Sequence, residues 1–181
     1  DTLRSRGLGD VYKRQVPTVA LIGYTNAGKS TLFNRLTGAG VLSKDMLFAT
    51  LDPTMRAVTL PSGRRIVLAD TVGFISQLPT ELVEAFKSTL EEVVQADLLL
   101  HVHDAASPLV AEEAEDVRAV LVDLGIDEEQ QDERLLSVMN KSDLLVGQDP
   151  AREALGNLFD EGCFTSALDG DGIDTLLAAI D

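Results

Sequence analysis

Eight residues, Gly23, Tyr24, Thr25, Asn26, Ala27, Gly28, Lys29 and Ser30, fit the pattern G-x-x-x-x-G-K-[ST] and follow directly on the apolar stretch Thr18–Ile22. This stretch constrains the fold more than any other. A loop of this kind works only where a buried strand ends and a helix begins, because its backbone N–H groups must wrap phosphate oxygens. Gly23 and Gly28 permit close backbone approaches that a Cβ would obstruct. The helix expected over Lys29–Thr37 is ended by Gly38 and Gly40 and aims its free N–H groups and positive dipole end at the phosphates. In such a loop Lys29 reaches the β- and γ-phosphates, the Ser30 hydroxyl ligates Mg²⁺, and Thr31 continues the first turn.

Around this unit, strand-type runs alternate with helical patterns, the signature of a parallel sheet covered on both faces. Thr54–Leu60 and Arg65–Asp70 flank Pro61, Ser62 and Gly63 and predict a hairpin. Strands are expected at Asp97–Asp104, Leu135–Met139 and Cys163–Thr165. Helical periodicity marks Thr80–Gln95, Val110–Leu124, Pro150–Phe159 and Gly172–Ile180. Gly125–Arg134, rich in Asp, Glu and Gln, reads as a solvated loop. The expectation is one α/β domain of the P-loop NTPase, Ras-like class, with a mostly parallel six-stranded sheet and five helices.

Three further segments recur in the order that a guanine nucleotide requires. Asp70, Thr71, Val72 and Gly73 form D-x-x-G at a strand end, where the carboxylate can hold a metal through water and the Gly73 N–H can meet the γ-phosphate. Loss of that phosphate would release the segment as a switch. Asn140, Lys141, Ser142 and Asp143 form N-K-x-D. The Asp143 carboxylate can accept from the guanine ring N–H and amine, whereas adenine would leave it unpaired. Lys141 is expected along the base plane, and Asn140 as a tie to the phosphate loop. Ser166, Ala167 and Leu168 complete the pocket, with a backbone N–H toward the guanine oxygen. Thr50 and Thr54 compete as the switch threonine. After Gly73 stand Phe74 and Ile75, where Ras-type enzymes carry a water-orienting glutamine. Slow intrinsic hydrolysis is therefore expected, helped by a partner or a monovalent cation. Asn26 either hydrogen-bonds within its loop or ligates K⁺ beside the phosphates.

The first fifteen residues stand apart. Asp10–Gln15 reverse-translates as GAT GTG TAT AAG AGA CAG, which looks like a sequencing-library adapter, so residues 1–15 are expected to be a non-native, disordered leader. The G domain is expected to occupy 16–181, with natural segments lost upstream. The whole chain carries −15; the leader's four basic and two acidic residues account for +2, so the rest carries −17. Such a surface repels nucleic-acid backbones at long range, and any contact with RNA should come mostly from parts outside this chain. The single cysteine, Cys163, excludes an internal disulfide and fits a reducing cytoplasm. No apolar run approaches the ~18–20 residues of a membrane span. A monomer is expected.

His101 and His103 share a strand face, but without a third ligand in a recognisable spacing they read as packing. Cys163 reads as a small buried residue, and Glu112, Glu113, Glu115 and Asp116 as the wet side of a helix.

Taken together, Gly23–Asn34, Phe48–Thr54, Asp70–Ile75, Leu82–Glu92 and Ala96–Val102 with Asp104 resemble the bacterial HflX family of ribosome-associated GTPases over essentially all of 16–181. The resemblance implies that Phe48, Ala49, Thr50, Leu51 and Asp52 form the switch segment, with Thr50 as the second protein ligand of Mg²⁺. It implies binding of GTP and GDP, hydrolysis of GTP, and association with the large ribosomal subunit, splitting stalled ribosomes through an N-terminal domain and linker that would precede Val16. Catalytic roles fall on Lys29, Thr50 and Gly73. His103 departs from the family's usual residue. The competing readings are a regulatory module that holds guanine nucleotide without turning it over and a small-molecule kinase of the same P-loop class.

Overall fold

The computed structural model describes residues 16–24, 27–38, 54–71, 91, 93–159 and 162–181. Thr25, Asn26, the expected switch segment Phe48–Asp52, Val72, Gly73 and most of the helix expected over Thr80–Gln95 lie outside these residues, as does the expected leader 1–15. The strands are β1 (Thr18–Gly23), β2 (Thr54–Thr59), β3 (Arg65–Asp70), β4 (Leu98–Asp104), β5 (Leu135–Asn140) and β6 (Cys163–Phe164). They form one sheet in the order β2-β3-β1-β4-β5-β6. Only the β2–β3 hairpin is antiparallel; the other neighbours run parallel. Gly63, at φ 87°, makes the hairpin turn possible.

β1 is buried along its whole length because helices cover both sheet faces. On one face Val19 and Leu21 pack with Phe33 and Leu36 of α1 (Lys29–Thr37) and with Ile173 and Leu176 of α5 (Ile173–Ile180). On the other, Ala20 and Ile22 pack with Val117 and Leu121 of α2 (Val110–Asp123) and with Val93. A smaller cluster joins Met139 of β5, Leu145 of the turn after it, and Leu155 of α4 (Asp149–Leu158). Each fully buried Leu, Ile or Phe contributes about 1.5–3 kcal/mol against exposure.

One expectation fails. Glu128–Arg134, read as solvated loop, is a helix, α3. It has no apolar stripe, and only Gln131 is buried. Its start is fixed by a capping box: the Gln130 N–H donates to Asp127 (2.9 Å), and the Asp127 N–H donates to the Gln130 side chain (3.0 Å). Gln131 Nε2 donates to the Ile126 carbonyl at 2.9 Å, and Arg134 donates to the carbonyls of Val93, Val94 and Ala96. Polar anchoring, invisible to hydrophobic periodicity, holds this helix down. A four-residue 3₁₀ turn at Ser142–Leu145 was not foreseen either. The remaining described elements begin and end within about one residue of expectation, as helix and strand ends commonly do.

Candidate nucleotide site

Parallel register puts the carboxyl ends of β1, β3, β4 and β5 on one edge: Leu21 lies beside Asp70, Gly23 beside Val102, and Asp104 beside Asn140. Such an edge is where open α/β sheets bind ligands. Gly23 must lack a side chain here, since a Cβ would stand 2.7 Å from the Val102 carbonyl oxygen.

At the phosphate end, Gly28 adopts a left-handed conformation (φ 84°) and precedes α1 with no side-chain cap. A helix start without a side-chain cap is a place where an anion can meet backbone N–H groups. Tyr24 packs at the edge of the Ala20–Ile22 cluster, and Ala27 is buried beneath the loop, its N–H donating to the Tyr24 carbonyl at 3.2 Å. Lys29 is buried, and its Nζ donates to both the Asp70 carboxylate and the Thr71 carbonyl. Burial pushes the Lys29 amine below its ordinary value, while the Asp70 charge pulls the other way. An ammonium has three donors, and two of them are spent on these described partners. Ser30 Oγ lies 3.3 Å from the other Asp70 oxygen, and Thr31 follows it on α1. The buried Thr71 hydroxyl donates to the Leu21 carbonyl and clamps the end of β3 to β1.

The base end is assembled around Asn140. Its Nδ2 donates to the Ala27 carbonyl at 3.0 Å. Its Oδ1 accepts from the Ala167 N–H at 3.1 Å and the Thr165 hydroxyl at 3.3 Å. One buried amide therefore ties the phosphate loop, the end of β5 and the loop after β6. A backbone N–H of this loop was expected toward the guanine oxygen; that of Ala167 is given to Asn140 and that of Ser166 to the Asp171 carbonyl. Lys141 occupies the left-handed region (φ 62°) and donates to Asp104 at 3.1 Å. Ser142 is buried, with its N–H on the Thr165 carbonyl at 3.0 Å. Ser166 Oγ donates to Asp143 Oδ1 at 3.0 Å, turning that carboxylate toward the loop. Leu168 is exposed on the loop crest.

Lys29 with Asp70, Ser30 with Asp70, Asn140 with Ala27 and Ala167, and Ser166 with Asp143 are thus brought together along this edge of the sheet. Thr25, Asn26, Phe48, Ala49, Thr50, Leu51, Asp52, Val72 and Gly73 lie outside the described residues, so the switch and K⁺ expectations stay as sequence readings. His101 and His103 are buried with ring centroids 3.9 Å apart, and His103 stacks on Phe159 at 4.2 Å. Burial drives both imidazoles toward the neutral form, with His103 lowered to about 3. That is the behaviour of core residues. Cys163 is buried, which raises its thiol pKa and makes it a poor nucleophile. Sequence reasoning missed Arg35 of α1, whose guanidinium reaches the carbonyls of Ala167 and Leu168. No motif announces it.

A family model described as "50S ribosome-binding GTPase" matches residues 18–141. The GTPase HflX of Magnetococcus marinus is 52% identical over 98% of this chain and 40% of its own length. That of Escherichia coli is 48% identical over 98% of this chain and 41% of its own. This chain belongs to the HflX GTPase family. It spans about two fifths of the length of these HflX relatives. Among solved structures, a GTP-binding protein from Sulfolobus solfataricus in complex with GDP superposes with TM-score 0.66 at 28% identity, covering 99% of this chain and 57% of that one. An Era structure, at TM-score 0.71 but 23% identity over 92% of this chain and 56% of that one, shares the fold. Among the described residues no helix is long and apolar enough to cross a membrane.

Proposed function

We propose that this domain binds GTP and hydrolyses it to GDP and phosphate, as the nucleotide switch of an HflX-type protein acting on the large ribosomal subunit. The observation that carries this reading is the Asn140 side chain. By bonding Ala27 and Ala167 at once, it holds the phosphate loop and the base loop at the two ends of one nucleotide. Asp143 then accepts from the guanine N–H groups, Lys29 gives its remaining donor to a phosphate oxygen, and the N–H groups opening α1 cradle the phosphates.

The Ser30 hydroxyl beside the Asp70 carboxylate is an all-oxygen donor set suited to Mg²⁺. Ser30 would hold the ion directly, Asp70 through water, and Thr50 by family resemblance. Bound there, Mg²⁺ would supply positive charge against the phosphates. We assign Gly73 to the γ-phosphate and leave Asn26 as the K⁺ candidate. Because Phe74 cannot orient water, the domain alone turns over slowly, and K⁺ or the ribosome raises the rate. Splitting of stalled ribosomes belongs to the longer protein in the cytoplasm, and the domain itself is a monomer.

A second reading, a module that holds guanine nucleotide without turnover, draws on the same Phe74. Phosphate release in single-turnover reactions separates the two: with K⁺ and 50S subunits the GTPase reading expects a clear rise, and no release under any condition would overturn it. Competition of GTP and ATP for the site disposes of the kinase alternative if ATP fails to compete.

A further inference from the structure

We propose that Arg35 is a positioning residue for guanine recognition, acting from the phosphate-binding helix on Asp143 through the loop at 166–169. The inference rests on the guanine-nucleotide reading above and names a residue outside all four motifs.

Arg35 sits on α1, two turns after Lys29. Its Nε donates to the Ala167 carbonyl at 3.0 Å and its Nη2 to the Leu168 carbonyl at 2.6 Å. A planar guanidinium spends its fork on two consecutive carbonyls, which fixes the orientation of two consecutive peptide planes. In a trans peptide the N–H points opposite to the C=O. Holding the Leu168 carbonyl therefore aims the Asp169 N–H the other way, and that N–H donates to Ser166 Oγ at 3.1 Å. With its lone pair so engaged, the Ser166 hydroxyl directs its proton to Asp143 Oδ1 at 3.0 Å. Arg35 thus reaches the base-reading carboxylate through one peptide and one hydroxyl.

The loop gives Arg35 a defined seat. Ser166 N–H donates to the Asp171 carbonyl at 2.9 Å and Gly170 N–H to the Ser166 carbonyl at 2.7 Å, closing a tight turn. Gly170 has φ 87°, and a Cβ there would lie 3.6 Å from an Arg35 guanidinium nitrogen. The guanidinium lies against the turn while Arg35 as a whole stays exposed. α1 also carries the phosphate contacts, so the same rigid helix sets both ends of the ligand.

The test is a set of equilibrium affinities for GDP and for IDP, which lacks the amine that Asp143 would accept. Wild type, Arg35→Gln, Ser166→Ala and the double variant are compared. Arg35→Gln should weaken GDP about three- to tenfold, the worth of one or two hydrogen bonds, and should narrow the GDP-to-IDP preference. In the Ser166→Ala background the same change should cost less than about twofold, because the relay is already cut. Arg35→Lys, able to serve one carbonyl, should fall between and serves as the readout if Arg35→Gln does not fold. Unchanged GDP affinity, equal weakening of GDP and IDP, or effects that add in the double variant would overturn the proposal. Wild-type binding of ADP as tightly as GDP would instead defeat the guanine reading itself, whatever Arg35 does.

Discussion

At the proposed phosphate end the site is held by charge: Lys29, 7% exposed, meets the Asp70 carboxylate, 5% exposed. At the base end it is held by short neutral groups, with the Thr165 hydroxyl and the Ala167 N–H donating to Asn140 and the Ser166 hydroxyl donating to Asp143. The difference matches what each end must do. A phosphate carries charge that only a desolvated cation and oriented N–H groups can meet, and burying that cation is costly without a counter-ion. A base is neutral, and discrimination between bases comes from geometry and from leaving a polar group unpaired when the wrong one enters. Substitutions at the phosphate end should therefore damage stability and binding together, whereas those at the base end should change selectivity first.

Lys29→Ala is the largest break. It leaves Asp70 buried without its cation, which costs about 3–5 kcal/mol of folding stability, and it removes the phosphate donor. Urea unfolding should show that loss, and GTP affinity by titration should fall about a hundredfold, the worth of one charge-assisted contact. Retained stability would mean that the Lys29–Asp70 pair is dispensable to the fold. Asp143→Asn is next, and it should separate the ends cleanly. GDP affinity should drop on the order of a hundredfold, XDP should gain, and the unfolding midpoint should hardly move. Equal loss for GDP and XDP would show that Asp143 supports the loop without reading the base.

The two ends also differed in how far the sequence revealed them. The placement of Lys29, Asp70, Asn140 and Asp143 beside strand ends was legible because each motif demands one residue type at one offset from a strand end. The sheet was legible because β1 and β4 are apolar runs between turn signals. What stayed hidden is held by polar contacts between distant segments. Arg35 meets Ala167 across 132 positions, and nothing local marks that pairing. α3 carries no apolar stripe; the Asp127–Gln130 capping box was its only local sign. Ala167's N–H could not be assigned to Asn140 without knowing that β5 and β6 are neighbours.

Acid should sharpen the contrast by loosening the base end. His103 lies on Phe159, which packs on the cluster of Met139 and Leu145 under the turn that carries Asp143. Its pKa falls from 6.5 to about 3 on burial, so the unfolded chain binds the extra proton between those values. Stability is then full above pH 6.5 and erodes as the pH falls toward 3, with about 2 kcal/mol gone by pH 5 from this residue alone. Unfolding curves at pH 7 and pH 5 test it. His103→Phe should flatten the dependence, and an equal slope in the variant would move its origin to other groups.

The smallest effect is expected from Asp104→Asn. Lys141 Nζ donates to Asp104 across a half-open gap, with the two side chains 34% and 23% exposed. Screened pairs of this kind are worth about 0–1 kcal/mol, so GDP affinity should weaken no more than about fivefold. The substitution is a clean probe because Asp104 Oδ1 also accepts the Ala106 N–H at 3.0 Å. An asparagine oxygen can keep that turn intact while the charge is removed. Whatever loss appears should shrink further in high salt. A loss beyond about tenfold, erased by salt, would make the base end electrostatic as well. Lys141 would then have to be counted with Lys29, and the division between a charged end and a neutral one would fail.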